Sequence, residues 1–138
     1  MKPLLVLGSS NIDHIAQMAA FPQAGETLHG ERYHRAYGGK GANQAVAAAR
    51  LGAEVTMVGC IGQDAYGQMI VDNLKENHIN TDYIVTVPDT TTGTAHITLA
   101  EGDNSIIVIS GANAKVDNTV VDNLSFDVKK GEIIGLSG

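Results

Sequence analysis

At 138 residues, 43% of them hydrophobic, the chain has the length of one domain and the composition of a globular protein, not of a disordered or fibrous one. Its formal charge of −6, with no cluster of Lys and Arg, argues against nucleic acid or an anionic membrane as a partner. No apolar run approaches the roughly 20 residues that span a bilayer, and a single cysteine, Cys60, excludes an internal disulfide.

The apolar run at 4–7 stops at Gly8 without a signal-peptide layout, so a cytoplasmic location is expected. Residues 3–9 as a whole have the pattern of a short buried parallel strand. Asn11 and Asp13 follow just past its C-terminal end, where open α/β sheets bind their ligands. By residue type alone, both can cap a turn or bond a hydroxyl-rich ligand. The paired oxygens of Asp13 suit two vicinal hydroxyls. From 15 to 37, Pro22 and Gly25 punctuate a loosely mixed stretch, as in exposed antiparallel strands around a turn. His14, His29 and His34 fall here without the spacing of a metal cluster.

Tyr37-Gly38-Gly39-Lys40-Gly41-Ala42-Asn43-Gln44 is the most informative stretch. Its glycines allow close backbone approach, and an Ala-rich helix over 42–51 follows, whose first N–H groups face whatever binds there. Lys40 adds a cation and Asn43 a two-way hydrogen-bonder to the same lip. A plain turn before a helix remains the alternative. It is not a nucleotide P-loop, because Gly41 stands where Ser or Thr is required after the lysine. Gly52 ends the helix, 54–61 alternates into a strand, and Asp64 caps a helix running to about His78. This order implies parallel crossovers. A strand over 82–87 comes next. Runs 92–100 and 105–110 flank Glu101-Gly102-Asp103-Asn104 as a hairpin. His96, on that hairpin, is either a strand residue or one that reaches the pocket.

Taken together, Gly8-Ser9-Ser10-Asn11-Ile12-Asp13, Phe21-Pro22-Gln23-Ala24-Gly25-Glu26-Thr27, Gly38-Gly39-Lys40-Gly41-Ala42-Asn43-Gln44 and Val58-Gly59-Cys60-Ile61-Gly62-Gln63-Asp64-Ala65-Tyr66-Gly67 resemble the N-terminal half of the ribokinase (PfkB) carbohydrate kinases. The resemblance covers residues 1 to about 114, closing on Gly111-Ala112-Asn113-Ala114. It implies a truncated ribokinase-like, Rossmann-like α/β sheet with helices and a small β lid built from about 12–38 and 82–100. It also implies that Asn11, Asp13, Gly38, Gly39, Lys40, Asn43 and the backbone near Ala95 hold ribose or a similar pentose, and that the lid supports a homodimer. No residue matches the family's Gly-Ala-Gly-Asp motif or its further sugar-contacting Glu. No catalytic residue and no metal site are therefore assigned, and ATP and magnesium enter only if residual kinase chemistry exists.

Residues 115–138 resemble another family. Leu124-Ser125-Phe126 and Lys130-Gly131-Glu132-Ile133-Ile134-Gly135 are similar to the segment before the Walker A loop in ABC-transporter ATPases of sugar importers. That resemblance implies an in-frame fusion or a designed chimera, with a hairpin of 124–128 and 132–136 covering the sheet. Apolar surface bared in this way invites a dimer, through the lid or through the half-sheet. Three functions follow: a pentose binder without efficient chemistry, a residual phosphotransferase working as a dimer, or an inert interaction protein.

Overall fold

A computed structural model of the chain describes residues 3–122 and 133–137. The chain begins with β1 (Leu4–Gly8), turns through two serines, and continues as β2 (Asn11–Gln17) and β3 (Arg32–Gly38). Helix α1 (Lys40–Arg50) leads to β4 (Val55–Gly62), and α2 (Ala65–Glu76) leads to β5 (Asn80–Val87). The hairpin β6 (Thr94–Ala100) and β7 (Asp103–Ile109) follows, then a 3₁₀ turn at Gly111–Lys115, the short α3 (Asn118–Asp122) and β8 (Ile133–Ser137).

These strands make two sheets. The first runs β5-β4-β1-β8 with every pair parallel. The second, the lid, runs β3-β2-β6-β7, with β2 parallel to β6 and antiparallel pairs at both edges. The α/β architecture and the β lid expected from the sequence are both present.

One expectation needs correction. Residues 82–87, expected within the lid, belong to β5, which pairs with β4 in the parallel sheet. The second arm of the expected C-terminal hairpin is β8, and its partner is β1, in parallel register from Leu4↔Ile133 to Gly8↔Ser137. The first arm, 124–128, lies outside the described residues. Local alternation reveals a strand but not its distant partner, and here the partner lies at the other end of the sequence.

The core sits where α1 and α2 cover the parallel sheet. Val6, Val55, Met57 and Ile61 from the strands meet Ala45 of α1 and Ile70 and Leu74 of α2. Small residues let α1 lie close: a Cβ on Gly41 would stand 2.8 Å from the backbone of Gly8. Ile12, from the lid strand β2, joins the same core. Ile12, Met57 and Leu74 are essentially fully buried, each stabilising the fold by about 1.5–3 kcal/mol over an exposed side chain. Cys60 is buried too, and desolvation, with help from Asp117, pushes its thiol pKa up, as befits an inert packing residue.

Candidate functional site

The chain crosses between the sheets at Ser9 and Ser10, and the site forms around that crossing. Gly39 is the N-cap of α1, with φ +92°, a left-handed value that an L side chain would strain to adopt. A Cβ there would also stand 2.6 Å from the Ser9 carbonyl oxygen. The helix start is thus pressed against the end of β1, and the Ala42 N–H donates to the Ser9 carbonyl at 3.0 Å. Among the described residues no side chain caps this helix, and its first turn holds no acidic residue. Instead Lys40 places a positive charge at the positive end of the helix dipole, an arrangement that favours an electron-rich ligand over the isolated helix.

A cleft of about 700 Å³ opens at this point. Asn11, Gly39, Lys40 and Asn43 line it, together with Ser9, Val108, Ser110 and Asn113. The sequence-expected residues therefore converge from β2, the Gly-Gly turn and the first turn of α1. Gly38, Asp13 and Ala95 are not among its lining residues. They form the adjoining patch of the lid: Asp13 is in register with Ala95, which is in register with Val108 at the cleft wall. Asn11 and Asp13, two apart on one strand, share that face. The Asp13 carboxylate lies against the Cα of Gly38, where any Cβ would collide with both its oxygens. Burial raises the Asp13 pKa, and the neighbouring His14 only partly counters it. A carboxylate that has lost part of its water gains the more from a hydroxyl donor.

His96 does not reach the cleft. It pairs in register with His14 on the opposite face of the lid, and the two rings stack at 5.1 Å. There His14 also bonds the Tyr33 hydroxyl at 2.8 Å and meets Tyr66 of α2 edge-on. Among the described residues no group of three or more His, Cys, Asp or Glu could hold a metal ion.

Sequence reasoning assigned no site role to Ser9, Val108, Ser110 or Asn113, and the last of these is tied into the site by hydrogen bonds. Asn113, in the 3₁₀ turn, lines the cleft and bonds Ser10 and Asn11 across more than 100 residues of sequence. The only signal was its Gly-Ala-Asn-Ala setting, which reads as a turn. A second crossing between the sheets is also tied by a buried side chain. The Thr92 hydroxyl donates to Asp64 Oδ1 at 2.6 Å and accepts from the Gly62 N–H at 2.9 Å, while the Thr92 N–H reaches Asp64 Oδ2. Asp64 is at the same time the N-cap of α2, accepting from the Gly67 N–H at 2.8 Å.

Comparison with known proteins bears on the family and the fold. The family model for pfkB family carbohydrate kinase matches residues 1–138, including the tail that resembles ABC-transporter ATPases. The ribokinase of Bacillus subtilis is 48% identical over 134 residues, covering 97% of this chain and 46% of the relative. A solved ribokinase from Thermotoga maritima superposes with a TM-score of 0.79 at 34% identity, over 88% of this chain and 41% of that one. A ribokinase from Arabidopsis thaliana, solved with ribose and ATP, gives a TM-score of 0.75 at 38% identity, over 81% of this chain and 37% of that one. The chain spans less than half the length of these relatives.

Proposed function

The chain belongs to the pfkB family of carbohydrate kinases, and we propose on that premise that its cleft binds ribose or a similar pentose. The observation that carries the proposal is the convergence of Asn11, Lys40 and Asn43 on one cleft, with Asp13 on the adjoining face. Carboxamides, an ammonium and a carboxylate offer both donors and acceptors, the set that a polyhydroxylated ring requires. Gly38, Gly39 and Ala95 let the ligand lie close to the backbone. That a relative was solved with ribose and ATP supports this ligand class.

Binding, not phosphoryl transfer, is the activity proposed here, because hydrogen-bonding groups for a ligand are what the described cleft presents. Titration calorimetry with D-ribose, alone and with ATP and magnesium, tests both statements. Saturable heat that needs no ATP, and that disappears in Asp13→Ala, is the expected result. Absence of ribose heat overturns the binding reading, and continuing turnover heat with all components restores the kinase.

Two further parts of the reading are proposals of the same kind. The lid is proposed to pair two copies, since the edge strand β7 exposes Ile106, Ile107, Val108 and Ile109 on both faces. Sedimentation showing only monomer at micromolar concentration overturns this. For residues 115–138 an ABC-transporter ATPase origin rests on the Leu-Ser-Phe and Lys-Gly-Glu-Ile-Ile-Gly runs alone, and the family match through residue 138 weighs against it. Remnants of both parent genes beside the coding locus are the expected sign of a fusion. An intact kinase reading frame there removes the idea.

A further inference from the structure

We infer that Asn113 is a positioning residue that fixes Asn11 as a hydrogen-bond donor toward the cleft, so that the ligand atom Asn11 meets is an acceptor oxygen. This rests on the pentose-binding reading for the ligand, but the orientation follows from the chain alone.

A carboxamide viewed in isolation can be turned over, exchanging its oxygen and nitrogen. For Asn113 that freedom is gone. The backbone N–H of Ser10 is a donor under any assignment, and it points at one end of the Asn113 side chain at 3.0 Å. That end must be Oδ1. The other end is then Nδ2, and it stands 3.1 Å from the Ser10 carbonyl oxygen, an acceptor under any assignment. The two main-chain groups of one residue thus read both ends of Asn113 at once.

Nδ2 has a second proton, and it points at the side chain of Asn11 at 2.7 Å. Only an oxygen can receive it, so Asn11 presents Oδ1 to Asn113. Its own NH2 group is left on the remaining side, and Asn11 lines the cleft. Among the described residues nothing accepts from that NH2 group. Two steps of hydrogen-bond logic, starting from a backbone N–H, therefore decide the polarity of a ligand-facing group.

Gly93 makes the arrangement sterically exclusive. A Cβ there would stand 2.5 Å from Asn11 Oδ1, and would collide with Asn113 Nδ2. The pair closes over bare backbone, in the strap just before β6. With Asp13, an acceptor when ionised, on the same face of β2, a ligand lying along this strand meets a donor and then an acceptor. A ring carrying neighbouring hydroxyls can satisfy both, one hydroxyl accepting and the next donating.

The test uses the whole chain and has one arm without ligand. In ¹⁵N-labelled protein the Asn113 NH2 protons should exchange slowly with water and those of Asn11 rapidly. The reverse pattern overturns the inference, whether or not ribose binds. With ligand, Asn11→Asp keeps an acceptor for Asn113 but removes the donor. It should melt like the parent chain and lose at least tenfold in D-ribose affinity by calorimetry. Undiminished affinity in Asn11→Asp overturns the donor assignment. Asn113→Asp, which can still accept from Ser10 but no longer donates to Asn11, should also weaken ribose. Its Asn11 NH2 protons should become protected as that side chain turns over. Failure of the parent chain to bind ribose, with the exchange pattern as expected, removes the pentose reading and leaves the orientation standing.

Discussion

In the parallel sheet, seven of the eight residues of β4 are buried; in the lid, all seven residues of β7 are exposed. The two strands are similarly apolar, so composition does not separate them. Position does. β4 lies inside its sheet between β1 and β5, with α1 and α2 packed against it, the situation in which parallel strands read as continuous hydrophobic runs. Among the described residues β7 is an edge strand with one neighbour. Stability is therefore concentrated in one sheet, while the other supplies a wall and a surface. The candidate site belongs to neither alone, since it forms where the chain steps from β1 to β2.

The comparison can be broken most forcefully in the core. Met57→Ala, at a residue with no exposed surface, should cost about 2–5 kcal/mol in urea denaturation. Ile107→Ala, at 64% exposure in the lid, should change stability by no more than about 0.5 kcal/mol. Equal losses at the two positions would mean that the lid edge is covered in solution.

At the crossing, Gly39→Ala should cost about 1–3 kcal/mol, because it combines a strained φ with a contact that only backbone movement can relieve. Ribose affinity should fall with it. Retained affinity in a destabilised variant would separate the helix start from the ligand.

Asp64→Ala probes the second tie between the sheets. Loss of an N-cap costs about 0.5–2 kcal/mol, and here the lid strap at Thr92 loses its partner too. The pH dependence carries a sign. Burial works to raise the Asp64 pKa, but the Thr92 hydroxyl, the Thr92 N–H and the Gly67 N–H outweigh it, and the net shift is downward. The folded state thus prefers the carboxylate. Its contribution is complete above the ordinary carboxylate value of 3.8 and is lost as pH falls through the lowered one. Acid unfolding of the parent chain should include a step that Asp64→Ala lacks.

Much of this was legible along the chain because its causes are local. The Asp64 cap, the hairpin turn expected over 101–104, which closes at Glu101-Gly102 with β7 starting at Asp103, and the Gly-Gly approach to α1 each depend on residues a few positions apart. Lys40 and Asn43 were legible for the same reason, as side chains on the first turn of a helix. Asn113 was not. Its role depends on Ser10 and Asn11, over 100 positions away, and an Asn in a turn looks the same whether or not it bridges two sheets. The register of β8 on β1 and the place of β5 in the parallel sheet were hidden likewise. His96 was left open between a strand residue and one that reaches the pocket for a subtler reason: period-2 alternation puts it opposite Ala95, and only a known inner face for Ala95 decides which of the two meets the cleft.

The smallest effect expected lies on the face of the lid opposite the cleft, and it sharpens the contrast between the sheets because it is electrostatic, not hydrophobic. His14 is faced by His96 of β6, by Arg35 and Tyr33 of β3 and by Tyr66 of α2, with Asp13 beside it along β2. Arg35 also lies over the Tyr66 ring at 5.8 Å. Desolvation, then His96 and Arg35, lower the His14 pKa below its ordinary 6.5, and Asp13 only partly opposes them. The folded state therefore holds this proton less tightly than the unfolded one. Stability should be complete above pH 6.5 and decline as pH falls from there through the lowered value. Melting temperatures between pH 7.5 and 5.5 should show this shallow decline, and His14→Phe should flatten it while keeping the ring contact with Tyr66. A slope unchanged in His14→Phe would assign the decline to other groups and leave the stack a packing feature only. A flattened slope would mean that the lid, nearly bare of buried apolar side chains along β7, is held to α2 partly by the uncharged state of one imidazole.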